Sequence, residues 1–132
     1  MISRSLLLNV PDGNIADCLK ALGITRKNIS SYEQGEPFLE AQENGALVSS
    51  VKGDFTHTAD VFLFDRELQA MLETLAGLSL KGILAAMPDD DDDDPEVFFL
   101  WRDGRRRIVR IYEDEATDRL RILDPLGEAG LA

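Results

Sequence analysis

Asp103-Gly104 lies between two apolar runs, residues 97–101 and 108–112. Such a dipeptide tolerates the positive φ angles of a type I′ turn, whose twist matches that of paired strands, so this stretch predicts a two-residue β-hairpin. The register follows directly. Arg102 faces Arg105, Trp101 faces Arg106, Phe99 faces Ile108 and Val97 faces Arg110, which makes the tip basic and the middle apolar. Just before the hairpin stand six consecutive aspartates and Pro95. At roughly 3.3 Å per residue the open end lies on the order of 20 Å from the tip, about two Debye lengths at physiological salt. The tip arginines are therefore expected to be too distant to neutralise the aspartates.

The second strand leaves the hairpin at that open end through Glu113, Asp114 and Glu115, with Asp118 just beyond. The sequence therefore predicts one intensely acidic edge, and the candidate partner-binding residues are Asp89, Asp90, Asp91, Asp92, Asp93, Asp94, Glu96, Glu113, Asp114 and Glu115. With Asp118 these make 11 carboxylates; set them aside and 14 acidic residues remain against 14 basic ones, so the whole net charge of −11 is assigned to this edge. Crowding like charges costs stability, which favours a surface that meets a cationic partner over one that serves as a solvated loop.

The chain of 132 residues, 44% of them hydrophobic, is read as one domain spanning 1–132. Its acidity argues against attraction to phosphate backbones or anionic membranes. Cys18 is the sole cysteine, so it forms no intrachain disulfide and is read as a buried thiol; with one histidine, His57, it supplies no zinc site. The aspartate run lacks the alternating ligands, turn glycine and final glutamate of a calcium loop. No metal or cofactor is expected. The short apolar run Leu6-Leu7-Leu8 falls short of a signal or membrane segment, so the chain is read as soluble and cytoplasmic. No nucleotide-binding glycine loop or nucleophile with a local base is present, and pairs such as Asp60 and Glu67 occur in any acidic chain, so no enzymatic activity is expected.

Along the chain, residues 2–10 read as a strand or extended arm, stopped by Pro11-Asp12-Gly13. Asn14 caps a short amphipathic helix, 14–22, with Ile15, Cys18, Leu19 and Leu22 on one face and Gly23 as its exit. Residues 38–42, a tight turn at Asn44-Gly45, 46–51 and 56–64 read as a three-stranded meander. Asp65 is expected to cap a helix bearing Leu68, Met71, Leu72 and Leu75 and ending at Gly77. Residues 78–87 read as a covering segment with at most one helical turn, and after the hairpin comes a strand at 119–123. The expected fold is α+β, with antiparallel β-meanders covered by two amphipathic helices in the order α-β-β-β-α-β-β-β.

Residues 13–35, GNIADCLKALGITRKNISSYEQG, resemble the helix-turn-helix of bacterial regulators. Leu22, Gly23, Ile24, Thr25, Arg26 and Ile29 match, whereas Leu19 stands where that family places a small residue. The resemblance implies a DNA-binding regulator, which the acidity of the chain opposes. Residues 36–64, EPFLEAQENGALVSSVKGDFTHTADVFLF, resemble a strand pattern of the small immunity proteins that bacteria keep beside secreted toxins, such as type VI secretion effectors. That resemblance implies an inhibitor of a cognate toxin with a basic surface, without chemistry of its own.

Overall fold

The structure, a computed structural model, describes residues 1–32 and 43–123. In chain order the elements are β1 (Ile2–Asn9), α1 (Ile15–Lys20), a 3-10 turn (Arg26–Asn28), β2 (Ile29–Ser31), β3 (Gly45–Ser50), β4 (His57–Leu63), α2 (Leu68–Leu80), β5 (Leu84–Pro88), β6 (Val97–Arg102), β7 (Arg105–Asp114) and β8 (Arg119–Leu123). Among the described residues the eight strands form one mixed sheet in the order β2-β3-β4-β1-β5-β6-β7-β8.

The β6–β7 hairpin has the anticipated register, from Val97 opposite Arg110 to Arg102 opposite Arg105. Asp103 and Gly104 take φ of 53° and 79°, as a type I′ turn requires. Ser79 of α2 reaches the tip, its Oγ accepting from the Gly104 amide at 2.7 Å while donating to the Ala76 carbonyl. Trp101 is buried, so Arg106 lies over the ring of its diagonal neighbour Phe99, 4.8 Å from the centroid.

The expected order is corrected, whereas the second meander stands: β6, β7 and β8 pair consecutively and antiparallel. The chain begins with a strand, and β1 sits inside the sheet between β4 and β5, with Leu6 and Leu8 fully covered. Residues 84–88, expected to be covering chain, form β5, an interior strand. Ala85, Ala86 and Met87 are buried, and alanine, a poor strand former, is small enough to fit between two packed faces. β2 pairs with β3 in parallel, so the sheet is not wholly antiparallel. Helix α2 runs through Gly77 to Leu80 and ends where Gly82 supplies φ 88°. Asp65 does not cap it; the Asp65 carboxylate pairs with Arg66 at 2.9 Å.

Asn14 caps α1 as anticipated, its side chain accepting from the Asp17 amide. The helix is shorter than expected, with Gly23 taking φ 80° just beyond it. The second helix of a helix-turn-helix does not follow: Arg26–Asn28 is one 3-10 turn that passes straight into β2. Asn44-Gly45 is not a tight turn, because Gly45 already pairs with Phe62. Asn44 is instead a buried tie, its Oδ1 accepting from the Phe64 amide at 2.7 Å and its Nδ2 donating to the Gly23 carbonyl at 3.3 Å. The strand expected at 38–42 and the tail from 124 lie outside the described residues.

Strand periodicity divides the core in two. Leu6, Leu8, Ala59, Val61, Ala85 and Trp101 face one side and pack with Cys18 and Leu19 of α1 and Met71, Leu75 and Leu78 of α2. Leu7, Ala86, Leu100, Val109 and Ile111 face the other side and pack around Phe55. That second side is concave. Edge strand β8 curls back to the β3–β4 connection, where the Leu120 amide donates to the Lys52 carbonyl and the Asp54 amide to the Leu120 carbonyl, both at 2.8 Å. The Asp54 carboxylate accepts from the Ile122 amide at 2.7 Å. Gly53 permits this seam: at its φ of 104°, a Cβ would stand 2.1 Å from the Leu120 carbonyl oxygen.

Candidate functional site: an acidic end beside a concave sheet face

The aspartate run is the connection from β5 to β6, and its backbone explains part of its composition. Asp89 accepts from the Asp91 amide at 3.1 Å, Asp92 from Asp94 and Asp94 from Glu96, both at 2.9 Å. Three of the six carboxylates therefore satisfy amides of their own loop, the local bonding for which aspartate is favoured in turns. Asp114 does the same in the β7–β8 turn, accepting from the Ala116 amide at 3.0 Å, and Asp118 adopts φ 54° there. The two turns emerge at one end of the sheet, because the Ile111 amide donates to the Glu96 carbonyl at 2.8 Å. The ladder ends at Val97 and Arg110, where a turn returns Asp94, its carbonyl accepting from the Val97 amide at 3.2 Å.

Two of the protein's own arginines, neither of them at the hairpin tip, partly compensate this end. Arg110, opposite Val97 at the open end of the hairpin, places Nη1 2.6 Å from Asp94 Oδ2 and 3.2 Å from Glu96 Oε1. Arg4 of β1 approaches Asp90 at 3.8 Å. The Asp94 carboxyl is held below the ordinary aspartate range by the Glu96 amide first and by Arg110 second. The ten sequence candidates thus separate. Asp89, Asp92, Asp94 and Asp114 build turns, Glu96 and Asp90 meet arginines, and Asp91, Asp93, Glu113 and Glu115 are exposed with no partner among the described residues.

The sequence reading missed what lies beside this end. The concave face holds a trough of about 700 Å³ lined by Leu7, Phe98 and Ile111 and by Glu96, Glu113 and Asp118, with Lys52 of the β3–β4 connection also lining it. A second hollow of about 410 Å³ continues from it past Leu7, Thr58 and Phe98 to Tyr32 and Asp60. Asp60 accepts from Ser5 Oγ at 2.7 Å and from the Tyr32 hydroxyl. Burial first, and that bond second, raise Tyr32 to about 12, so its hydroxyl keeps its proton. Alternation in each strand marks these side chains as sharing a face, but which strands are neighbours, and how far the sheet curls, is set by pairings distant in sequence.

Cys18 is buried, and desolvation ahead of the nearby Asp12 charge raises its thiol to about 11, so it packs as a small hydrophobe. His57 is half-buried with Nδ1 2.8 Å from Thr56 Oγ1, and burial lowers its pKa. No group of three His, Cys, Asp or Glu among the described residues is arranged to hold a metal ion. None of the described helices is long and apolar enough to cross a membrane. Compared with protein-family models, curated proteins and solved structures, the chain matches none.

Proposed function

We propose that this protein is an acidic protein-binding inhibitor, an immunity protein that neutralises a cognate bacterial toxin by occluding a cationic cleft. The observation that carries the reading is the set of carboxylates without partners among the described residues, Asp91, Asp93, Glu113 and Glu115, gathered at one end of the sheet. A toxin that acts on nucleic acids or nucleotides must present cationic groups to phosphate. A rigid cluster of carboxylates competes for the same groups, accelerates encounter and specifies orientation, while apolar contacts hold the complex. The turn-building aspartates serve that purpose by fixing the loop before the partner arrives, which lowers the ordering cost of binding. In this reading α1 and α2 cover the opposite face, the protein works in the cytoplasm without a cofactor, and it performs no reaction. The helix-turn-helix alternative has no second helix with which to read a groove.

The experiment is a crosslinking capture in source cells with the tagged chain and with its Asp91→Asn/Asp93→Asn/Glu115→Gln variant. The reading expects a basic protein that the parent retains, the variant loses and the parent inhibits in a purified assay. A captured protein whose retention and activity are indifferent to the substitutions refutes it.

A further inference from the structure

We propose that the trough of the concave face receives an arginine-bearing loop of the partner, with the guanidinium at Glu113 and Asp118 and its stem across Leu7, Phe98 and Ile111. This rests on the reading above that the partner is a cationic protein, and it assigns the seat of that partner's anchoring side chain.

The cavity carries the argument, and charge selects the occupant. At about 700 Å³ the trough has the capacity of a ligand site, such sites spanning roughly 300–1,000 Å³. Part of its lining is apolar, which excludes a fully polar occupant, while three carboxylates against one lysine in that lining exclude an anion. A wholly apolar occupant would strip water from Glu113 and Asp118, which have no ion-pair partner among the described residues. The described residues offer no cluster suited to a metal ion. Arginine satisfies all of these conditions: its methylene stem lies along apolar surface, and its planar, weakly hydrated head pairs with carboxylates. Glu96 is already engaged by Arg110, so the available pair lies on the β7–β8 side of the trough.

The test is an NMR titration of methyl-labelled protein with a capped hexapeptide containing two arginines, and with its twin carrying neutral, near-isosteric citrulline at both places. The expected result is saturable shifting of the Leu7, Ile111 and Leu120 methyls by the arginine peptide, with at least tenfold weaker binding of the citrulline twin. Glu113→Gln/Asp118→Asn lowers the affinity about tenfold, and Asp91→Asn/Asp93→Asn leaves it within twofold. Equal binding of the two peptides to unmodified protein overturns the assignment without reference to any variant. Shifts confined to amides of the aspartate loop overturn it too, and they leave the inhibitor reading standing, since that reading falls only if no cationic partner depends on the acidic end.

Discussion

Gly53→Ala strikes the seam that makes the sheet concave. The added Cβ would lie 2.1 Å from the Leu120 carbonyl oxygen and 2.7 Å from its nitrogen, both backbone atoms that cannot rotate aside. Relief requires β8 to leave the turn, which breaks the Asp54-to-Leu120 and Leu120-to-Lys52 backbone bonds and strains the bond from Ile122 to the Asp54 carboxylate. At about 1 kcal/mol net for each, these three bonds contribute roughly 3 kcal/mol. A side chain in left-handed backbone adds roughly 1 kcal/mol, for a total near 4 kcal/mol. Gly13→Ala is the control, because Gly13 has φ 73° but nothing within 4 Å of its Cβ position; it should cost only about 1 kcal/mol. Equilibrium urea unfolding gives both values. Native-state amide exchange localises the difference, with Asp54 and Leu120 exchanging about a hundredfold faster in Gly53→Ala if some 3 kcal/mol of seam is lost. Equal destabilisation by the two substitutions would refute the seam and, with it, the curvature that forms the trough.

Two other perturbations test the supports of the site. Asp94 has a lower pKa folded than unfolded, so its contribution to stability is present above the ordinary aspartate range and is lost as pH falls through the folded value. Carboxyl NMR should find Asp94 titrating below an ordinary aspartate, and Arg110→Gln should move it partway back, the Glu96 amide retaining the rest; no movement would exclude Arg110 as a cause. Asn44→Ala removes the bonds to the half-buried Phe64 amide and to the Gly23 carbonyl, a cost of about 2 kcal/mol in urea unfolding at about 1 kcal/mol for each. In the same variant Asp65, held at about 2 chiefly by Arg66 and then by Asn44, should titrate higher; an unchanged midpoint and titration would remove Asn44 as a tie.

The hairpin was legible because everything that determines it is local: two apolar runs and one dipeptide set turn type and register together. The same holds for Asn14 as a cap and for the apolar stripe of α2. β5 was hidden because Leu-Ala-Ala-Met-Pro lacks the branched and aromatic residues that mark strands, and its identity comes from the neighbours β1 and β6 that cover it. The position of β1 inside the sheet was equally hidden, since its partners lie some 50 and 80 residues away. For the site, sequence located the acidic run but not its division of labour. Asp89, Asp92 and Asp94 differ from Asp91 and Asp93 only in how the loop turns beneath them, and Arg110 reaches the run because Val97, opposite it, begins the strand.

The proposed inhibition requires a cationic protein to approach the acidic end under electrostatic attraction. Its most direct test is the association rate constant of the captured partner, measured by stopped flow at rising salt for the parent and for Asp91→Asn/Asp93→Asn/Glu115→Gln. We predict a rate that falls steeply with ionic strength for the parent, and a slower rate with a flattened salt dependence for the variant. Coincident rates and slopes for the two proteins would contradict it.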